Sequence, residues 1–365
     1  MPLLPDAESF RRLVEGSDTG AGATLTRAIL AGLAAPYGLA VACRNAAYDR
    51  RWLRIGGAGV PVVSVGNLTL GGTGKTPLVA WVARAVSAAG LRPAIVSRGY
   101  AAAAGATSDE AAELAVLLPD VPHVADRDRV AGSRAAAAAG ADLVVLDDGF
   151  QHRRLARDLD LVAVDATDPF GCGRLFPRGL LREPLTGIRR ADAVILTRAS
   201  AVDPERRSEI RAGIRSAAGG PLPGVWVEAS HSPRQLRTAS GGTLPIETLG
   251  GRRIAAFAGI GNPAAFRGTL ERLGAAPVAF RAFPDHHPYP PQDLTSLEAW
   301  LRHCGAEMAV TTLKDLVKIQ SDSIGGVPLT AVEIAVAIDT GADDLHGLLA
   351  PVIARARAAR DAAPR

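Results

Sequence analysis

Short β-branched runs alternate with helical stretches along most of the chain. The segment Val60-Pro61-Val62-Val63-Ser64-Val65 is apolar at nearly every position and ends at Gly66-Asn67, which reads as a strand buried on both faces. A Gly-rich turn follows. Then Leu78, Val79, Val82, Ala85 and Val86 recur at helical spacing and predict a helix over 75–89. Pro77 falls in its first turn, where a missing N–H is harmless, and Gly90 is a natural stop. The same reading gives strands at 93–96, 142–146, 159–164 and 193–197, with helices near 110–118 and 129–139 between them. Strands alternating with helices imply a parallel sheet covered on both faces.

Gly219-Gly220-Pro221-Leu222-Pro223-Gly224 breaks this rhythm. Residues 225–250 then read as a small β-ribbon linker. After it the alternation restarts, with strands at 254–258, 278–280, 308–311 and 331–338 and helices at 263–273, 294–302 and 345–359. The expected organisation is a helical region over 1–55, a P-loop-type α/β domain over 56–220, a linker over 221–250, a second α/β domain over 251–340, and a C-terminal helix over 341–365. The run Ile29-Leu30-Ala31-Gly32-Leu33-Ala34-Ala35-Pro36-Tyr37-Gly38-Leu39-Ala40-Val41-Ala42-Cys43 is strongly apolar. It is shorter than the roughly 20 residues of a spanning helix, and Pro36 interrupts it. Arg27 precedes it, and Arg44, Arg50, Arg51 and Arg54 follow. Such a segment either lies in a membrane interface or packs on the domain.

Composition adds little: 48% hydrophobic and 21% charged residues describe an ordinary globular chain of 365 residues. The N-terminus, MPLLPDAESF, carries acids and no basic region, unlike a secretory signal. Three distant cysteines without a C-x-x-C argue against a disulfide framework or structural zinc and fit a reducing compartment. The net charge of +4 is modest and suits small anions or a membrane surface as well as nucleic acid. More telling is a concentration of arginines from Arg153 to Arg190, a surface suited to phosphates.

The strongest chemical signal is Thr69-Leu70-Gly71-Gly72-Thr73-Gly74-Lys75-Thr76, between a predicted strand and a predicted helix. It follows the phosphate-binding pattern G-x-x-x-x-G-K-[ST] except that Thr69 stands at the first glycine. Backbone amides of such a turn converge on anions, and the helix N-terminus adds partial positive charge. Lys75 would bridge the β- and γ-phosphates of ATP, and Thr76 would ligate Mg²⁺. Asp147 and Asp148 close a hydrophobic strand downstream; Asp147, first after the apolar run, is the second expected metal ligand. Gln151 and His152 follow, placed to touch substrate or to hold the local structure. Ser97-Arg98-Gly99-Tyr100 also ends a strand, where open α/β sheets bind ligands. Ser97, Arg98, Tyr100, Asp148, Gln151 and His152 are the expected substrate contacts from this reading.

Taken in order, GNLTLGGTGKTP (66–77), SRGY (97–100), DDGFQHRRL (147–155), GRLFPRGLLREP (173–184), AFAGIGNPAAF (256–266), FPDHHPY (283–289) and TTLKDLVK (311–318) resemble the tetraacyldisaccharide 4′-kinase family. The similarity spans about residues 20–340. It implies two α/β domains joined by a β-ribbon, with ATP and Mg²⁺ as cofactors. It also implies transfer of the γ-phosphate to the 4′-hydroxyl of an acylated glucosamine disaccharide 1-phosphate at the cytoplasmic face of the bacterial inner membrane. The resemblance favours the interfacial reading of residues 24–48. It implies neither a nucleic acid nor an obligate protein partner. An Asp–His pair serves the acceptor hydroxyl in this family, and the matching residues are Asp109 and His286, so Asp109, His286, Lys75 and Asp147 form the expected catalytic set. Arg182 is a further expected substrate contact, and Glu183 an expected substrate or metal contact. The chain reads Ser108-Asp109-Glu110-Ala111 where the family has Gly-Asp-Glu-Pro, and Leu313 replaces the family's usual acid; no catalytic role is expected for residues 311–315.

Two other P-loop classes fit less well. Partitioning and metal-insertion ATPases carry a signature lysine before the two glycines, where this chain has Leu70. A GTPase needs a guanine motif such as N-K-x-D, which is absent from the sequence.

Overall fold

A computed structural model describes residues 7–99, 109–222 and 224–362. The chain divides into two compact units. The first takes in residues up to Gly99, then Asp120–His231, then Val336 onward; the second takes in the segment ending at Pro119 and Ser232–Ala335. This differs from the expected domains in two places. Residues 109–119 group with the second unit although they lie inside the predicted first domain. The C-terminal helix belongs to the first unit.

The first unit opens with α1 (Ala7–Glu15) and α2 (Ala21–Asp49). The predicted interruption at Pro36 does not occur: α2 is one helix of 29 residues. Proline removes one hydrogen bond, to the carbonyl four residues back, and the long Ala- and Leu-rich flanks propagate across that loss. The helix is long and apolar enough to cross a membrane by length and composition, and almost none of it is buried. Leu25, Ile29, Leu33 and Leu39 are all more than half exposed. At 100° per residue they share an arc of about 120° on one side. Elsewhere the helix is tied to the unit. Tyr37 donates its hydroxyl to the Arg182 carbonyl at 2.7 Å, and Arg153 reaches the Asn45 carbonyl at 2.9 Å and Asp49 at 2.7 Å.

The rest of this unit is the predicted alternation: β1 (Val62–Asn67), α3 (Lys75–Ala88), β2 (Pro93–Ser97), then, after the segment α4 (Asp109–Leu117) that belongs to the second unit, β3 (His123–Ala125), α5 (Arg129–Ala138), β4 (Leu143–Asp147), β5 (Leu159–Asp165), β6 (Ala193–Thr197), α6 (Pro204–Ala218) and β7 (Val225–Arg237). The strand order is β7-β6-β5-β1-β4-β2-β3, and all neighbours are parallel. β1 lies between β5 and β4, so every one of its residues is buried. Asp128 and Asp203 cap α5 and α6 through their side chains, as the sequence signal for helix starts requires.

The second unit holds α4, β8 (Thr243–Leu244), β9 (Ile254–Ala258), α7 (Pro263–Arg272), β10 (Ala279–Ala282), α8 (Pro291–Cys304), β11 (Met308–Thr312), α9 (Leu313–Ile319) and β12 (Ser323–Ile324). β13 (Val327–Thr340) then leads back into the first unit, which ends in α10 (Ala342–Ala362). β10, β9, β11 and β13 are neighbouring parallel strands. Ile254, Ala256, Ala258, Phe266, Leu270 and Val310 form the core beneath them. The expected ribbon is a hairpin, β7 paired antiparallel with β8.

α10 lies against α3. Arg357 donates to the Ala89 carbonyl at 2.7 Å and Arg360 to the Gly90 carbonyl at 2.9 Å. Both sit just past the C-terminus of α3, where cations complement the helix dipole.

Candidate active site

The phosphate loop leaves β1 where the register sets Val65 beside Asp147 of β4. Asn67 is fully buried and its amide donates to the Thr69 carbonyl at 2.8 Å, which fixes the first bend. Leu70 N–H donates to the Leu180 carbonyl at 2.7 Å, and Arg182 N–H to Leu68 at 2.8 Å, so residues 68–70 are braced by 180–182. Gly71 has φ +106° and Gly74 φ +74°, left-handed backbone that favours glycine. A Cβ on Gly71 or Gly72 would meet nothing within 4 Å, so an open cradle lies before the loop. Gly74 caps α3, and Lys75 and Thr76 form its first turn.

Lys75 Nζ lies 3.3 Å from Asp148, whose other oxygen accepts from Arg182 at 2.7 Å. Burial works against charge on Asp148, but Lys75 and Arg182 together override it and hold the carboxyl down at about 2. Asp148 is therefore an anion at neutral pH that positions two cations. Asp147, by contrast, ends β4 and is 8% exposed. A hydroxyl from Thr76 and a carboxylate from Asp147 form an all-oxygen donor set suited to Mg²⁺, which is held by few protein groups and otherwise by water and phosphate. No cluster of three His, Cys, Asp or Glu side chains fit to hold a metal occurs among the described residues.

Behind this layer sits Glu183, with no exposure. Arg190 donates to both of its oxygens at 2.8 Å, Gln151 to one at 3.0 Å and Asn45 of α2 to the other at 3.1 Å. Gln151 also donates to the Asn67 carbonyl at 2.8 Å. Both side chains are engaged inside the protein, where they join α2 to the strand that carries the phosphate loop. His152 is half-buried; burial, then Arg129 and Arg157, push its pKa down to about 4, so it is neutral. Ser97 is buried at the end of β2, next to β4, and its hydroxyl bonds His123 Nε2 at 2.8 Å. Arg98 beside it is exposed. Tyr100 lies outside the described residues.

The second unit brings Asp109 and His286 together, as the resemblance implies. His286 Nδ1 is 2.8 Å from Asp109 Oδ2. Despite burial, bonds from Lys318 and His286 keep the Asp109 carboxyl below its ordinary pKa. An ionised carboxylate only accepts, so Nδ1 carries the hydrogen and Nε2 is the basic nitrogen of the neutral ring. His286 has φ +59°, an uncommon conformation for a residue other than glycine. The loop bearing it is tied to Gly259, whose carbonyl accepts from His286 N–H at 3.2 Å and whose own N–H donates to buried Asp315 at 3.0 Å; Asp315 also accepts from the Thr312 hydroxyl at 2.7 Å. His287 differs: its Nε2 bonds Asp293 at 2.6 Å and its ring stacks on Phe283 at 4.7 Å.

Two lysines complete this cluster. Lys318 Nζ is 2.9 Å from Asp109 Oδ2, and Lys314 Nζ is 3.3 Å from His286 Nε2. They are four residues apart on α9, hence on one face. Sequence reasoning gave residues 311–315 no catalytic part and did not single out Lys318, although that spacing was a visible signal. Glu113 of α4 faces the same charges; burial, opposed by Lys314, pushes its pKa up to about 7.

The chain is similar to known proteins over most of its length. The family model described as tetraacyldisaccharide-1-P 4′-kinase matches residues 26–353. The tetraacyldisaccharide 4′-kinase of Anaeromyxobacter dehalogenans (strain 2CP-C) is 43% identical over 338 residues, covering 87% of this chain and 88% of its own. That of Syntrophus aciditrophicus is 40% identical over 319 residues, covering 78% and 82%. The crystal structure of LpxK from Aquifex aeolicus in complex with ATP superposes with a TM-score of 0.72 at 30% identity, covering 90% of this chain and 99% of that one. On the matched span, the identity and the shared fold, the chain belongs to the tetraacyldisaccharide 4′-kinase family.

Proposed function

We infer that the protein transfers the γ-phosphate of ATP to the 4′-hydroxyl of a tetraacylated glucosamine disaccharide 1-phosphate, in lipid A biosynthesis. The observation that carries this reading is the phosphate loop with Lys75 poised on Asp148, in a chain that the family matches nearly end to end. Lys75 and the loop amides hold the ATP phosphates. Thr76 and Asp147 would hold Mg²⁺, which when bound neutralises charge on the β- and γ-phosphate oxygens. Asp148 keeps Lys75 and Arg182 in place. Arg182 and the exposed Arg98 are suited to substrate phosphate. Ser97, Gln151 and Glu183 act through the groups they bond, and His152 supplies an uncharged polar ring near the same strand ends. Asp109 orients His286 and stabilises positive charge on it, and the pair draws the proton from the acceptor hydroxyl.

The test is transfer of labelled γ-phosphate from Mg·ATP to a lipid A disaccharide 1-phosphate precursor in detergent. Labelled lipid is the expected result. ATP hydrolysis without labelled lipid would replace this reading with an ATPase switch.

Lys318 offers a sharper check on the pair. Against burial, its charge and the bond from His286 favour the ionised form of Asp109. Replacing Lys318 with methionine removes that support, so the Asp109 pKa rises. Activity that needs the carboxylate is then lost at higher pH as the solution is acidified. The acid limb of the kcat/KM profile, which reports protonation of the coupled Asp109–His286 pair, moves up by about one pH unit, and an unmoved limb excludes the pair as the titrating group.

The same reading places the protein peripherally at the cytoplasmic face of the inner membrane, because its acceptor is a lipid. The exposed apolar side of α2 and the exposed Arg44, Arg50, Arg51 and Arg54 support this. Changing Leu25, Ile29 and Leu33 to serine abolishes co-sedimentation with anionic phospholipid vesicles and leaves ATP binding intact; undiminished sedimentation removes α2 as the anchor.

A further inference from the structure

The phosphate loop is held from outside by residues that take no part in the reaction described above. Thr197, the last residue of β6, donates its hydroxyl to the Thr73 carbonyl at 2.8 Å. Arg198, the next residue, donates from Nη2 to the Gly72 carbonyl at 2.9 Å. Its other nitrogen forms an ion pair with Asp165 at the end of β5. Asp165 is fixed in turn by Thr167, through backbone N–H at 2.9 Å and hydroxyl at 2.8 Å. Arg198 reaches this position with φ +54° and ψ +33°, left-handed backbone that is unfavourable outside glycine. Beside it, the His231 ring closes the side of Gly74: a Cβ there would stand 2.5 Å from Nε2.

A peptide unit is planar and trans, so its C=O and N–H point in opposite directions. The Gly72 carbonyl shares a plane with the Thr73 N–H, and the Thr73 carbonyl with the Gly74 N–H. Holding those two carbonyls outward aims both amides inward, at the cradle where the phosphates bind.

We propose that Arg198, anchored by Asp165, is a positioning residue for ATP: with Thr197 it locks the two peptide planes of the phosphate loop in the phosphate-binding orientation. The loop therefore enters binding already ordered, and ATP does not have to turn these amides round. A simpler role, in which Arg198 only lends positive charge to the phosphates, predicts the opposite response to loss of Asp165. Removing a nearby negative charge would then tighten ATP binding. In the positioning role it weakens binding, because Arg198 loses its anchor.

The experiment measures ATP affinity by calorimetry on the full chain without acceptor lipid. Arg198→Ala is expected to weaken ATP by about tenfold and Asp165→Asn by roughly threefold. Arg198→Lys, which keeps a donor for the Gly72 carbonyl, recovers part of the loss. In steady-state kinetics the KM for ATP rises and the KM for the lipid stays at its wild-type value. Tighter or unchanged ATP binding by folded Asp165→Asn overturns the proposal, as does an Arg198→Ala affinity within twofold of wild type. If the charged variants do not fold, Thr197→Val decides. It removes one neutral strut at a strand end, and weaker ATP binding supports the positioning role while wild-type affinity overturns it.

Discussion

Replacing Lys75 with alanine lowers kcat by roughly 10³-fold and leaves the protein folded. In the proposed reaction Lys75 is the cation that the loop offers to the phosphate being transferred, and it lies 3.3 Å from Asp148. Charge grows on the phosphate oxygens and the leaving oxygen during transfer, so most of the loss falls on kcat rather than on ATP affinity. The fold survives because Asp148 keeps Arg182 at 2.7 Å and is itself about one-third exposed. With one of its two cations gone, the Asp148 carboxyl rises from about 2 towards the ordinary carboxylate range. Arginine does not substitute well, since its planar fork cannot reproduce a point charge on a flexible stem. Single-turnover transfer of labelled phosphate checks the expectation, and a loss of less than tenfold would remove Lys75 from the chemistry.

The second large effect separates two adjacent histidines. His286→Ala is expected to lower kcat by about 10²-fold or more, and His287→Ala to change it by less than about fivefold while lowering the melting temperature. His286 is 54% exposed at its side chain, with Nε2 3.3 Å from Lys314 Nζ. His287 is 18% exposed, bonded to Asp293 and packed between the rings of Phe283 and Tyr289. One has the position of a proton acceptor and the other of a loop brace. Kinetics and thermal unfolding of both variants are the measurement; equal rate losses at the two positions would end the assignment of His286.

The difference between these neighbours was invisible in the sequence, where Asp285-His286-His287 reads as one polar cluster. What was legible follows a simple rule. The phosphate loop packs its chemistry into contiguous residues, and the flanking strand and helix announce themselves by period. Asp147 was legible because a hydrophobic strand points to it. Sites assembled from distant segments were not. Asp109 and His286 stand 177 residues apart in sequence, and only resemblance joined them. Lys318 and Arg198 are single basic residues near element ends, with nothing in composition to set them apart from solvated surface. Pro36 misled for another reason: proline is costly locally, but the helix around it is long enough to absorb the cost. Glu183 read as a ligand of substrate or metal, yet four hydrogen bonds from three side chains enclose it, a pattern that depends on α2 arriving from far upstream.

The contact of α10 with the end of α3 bears on how the protein is made. The first unit is assembled from three stretches of chain; a short part of the second unit falls between the first and second of them, and the larger part between the second and third. Ribosomes deliver the phosphate loop before the second unit, but Arg357 and Arg360, which close the far end of its helix, follow that unit in the chain. The first unit therefore completes these contacts only after translation has passed the inserted unit.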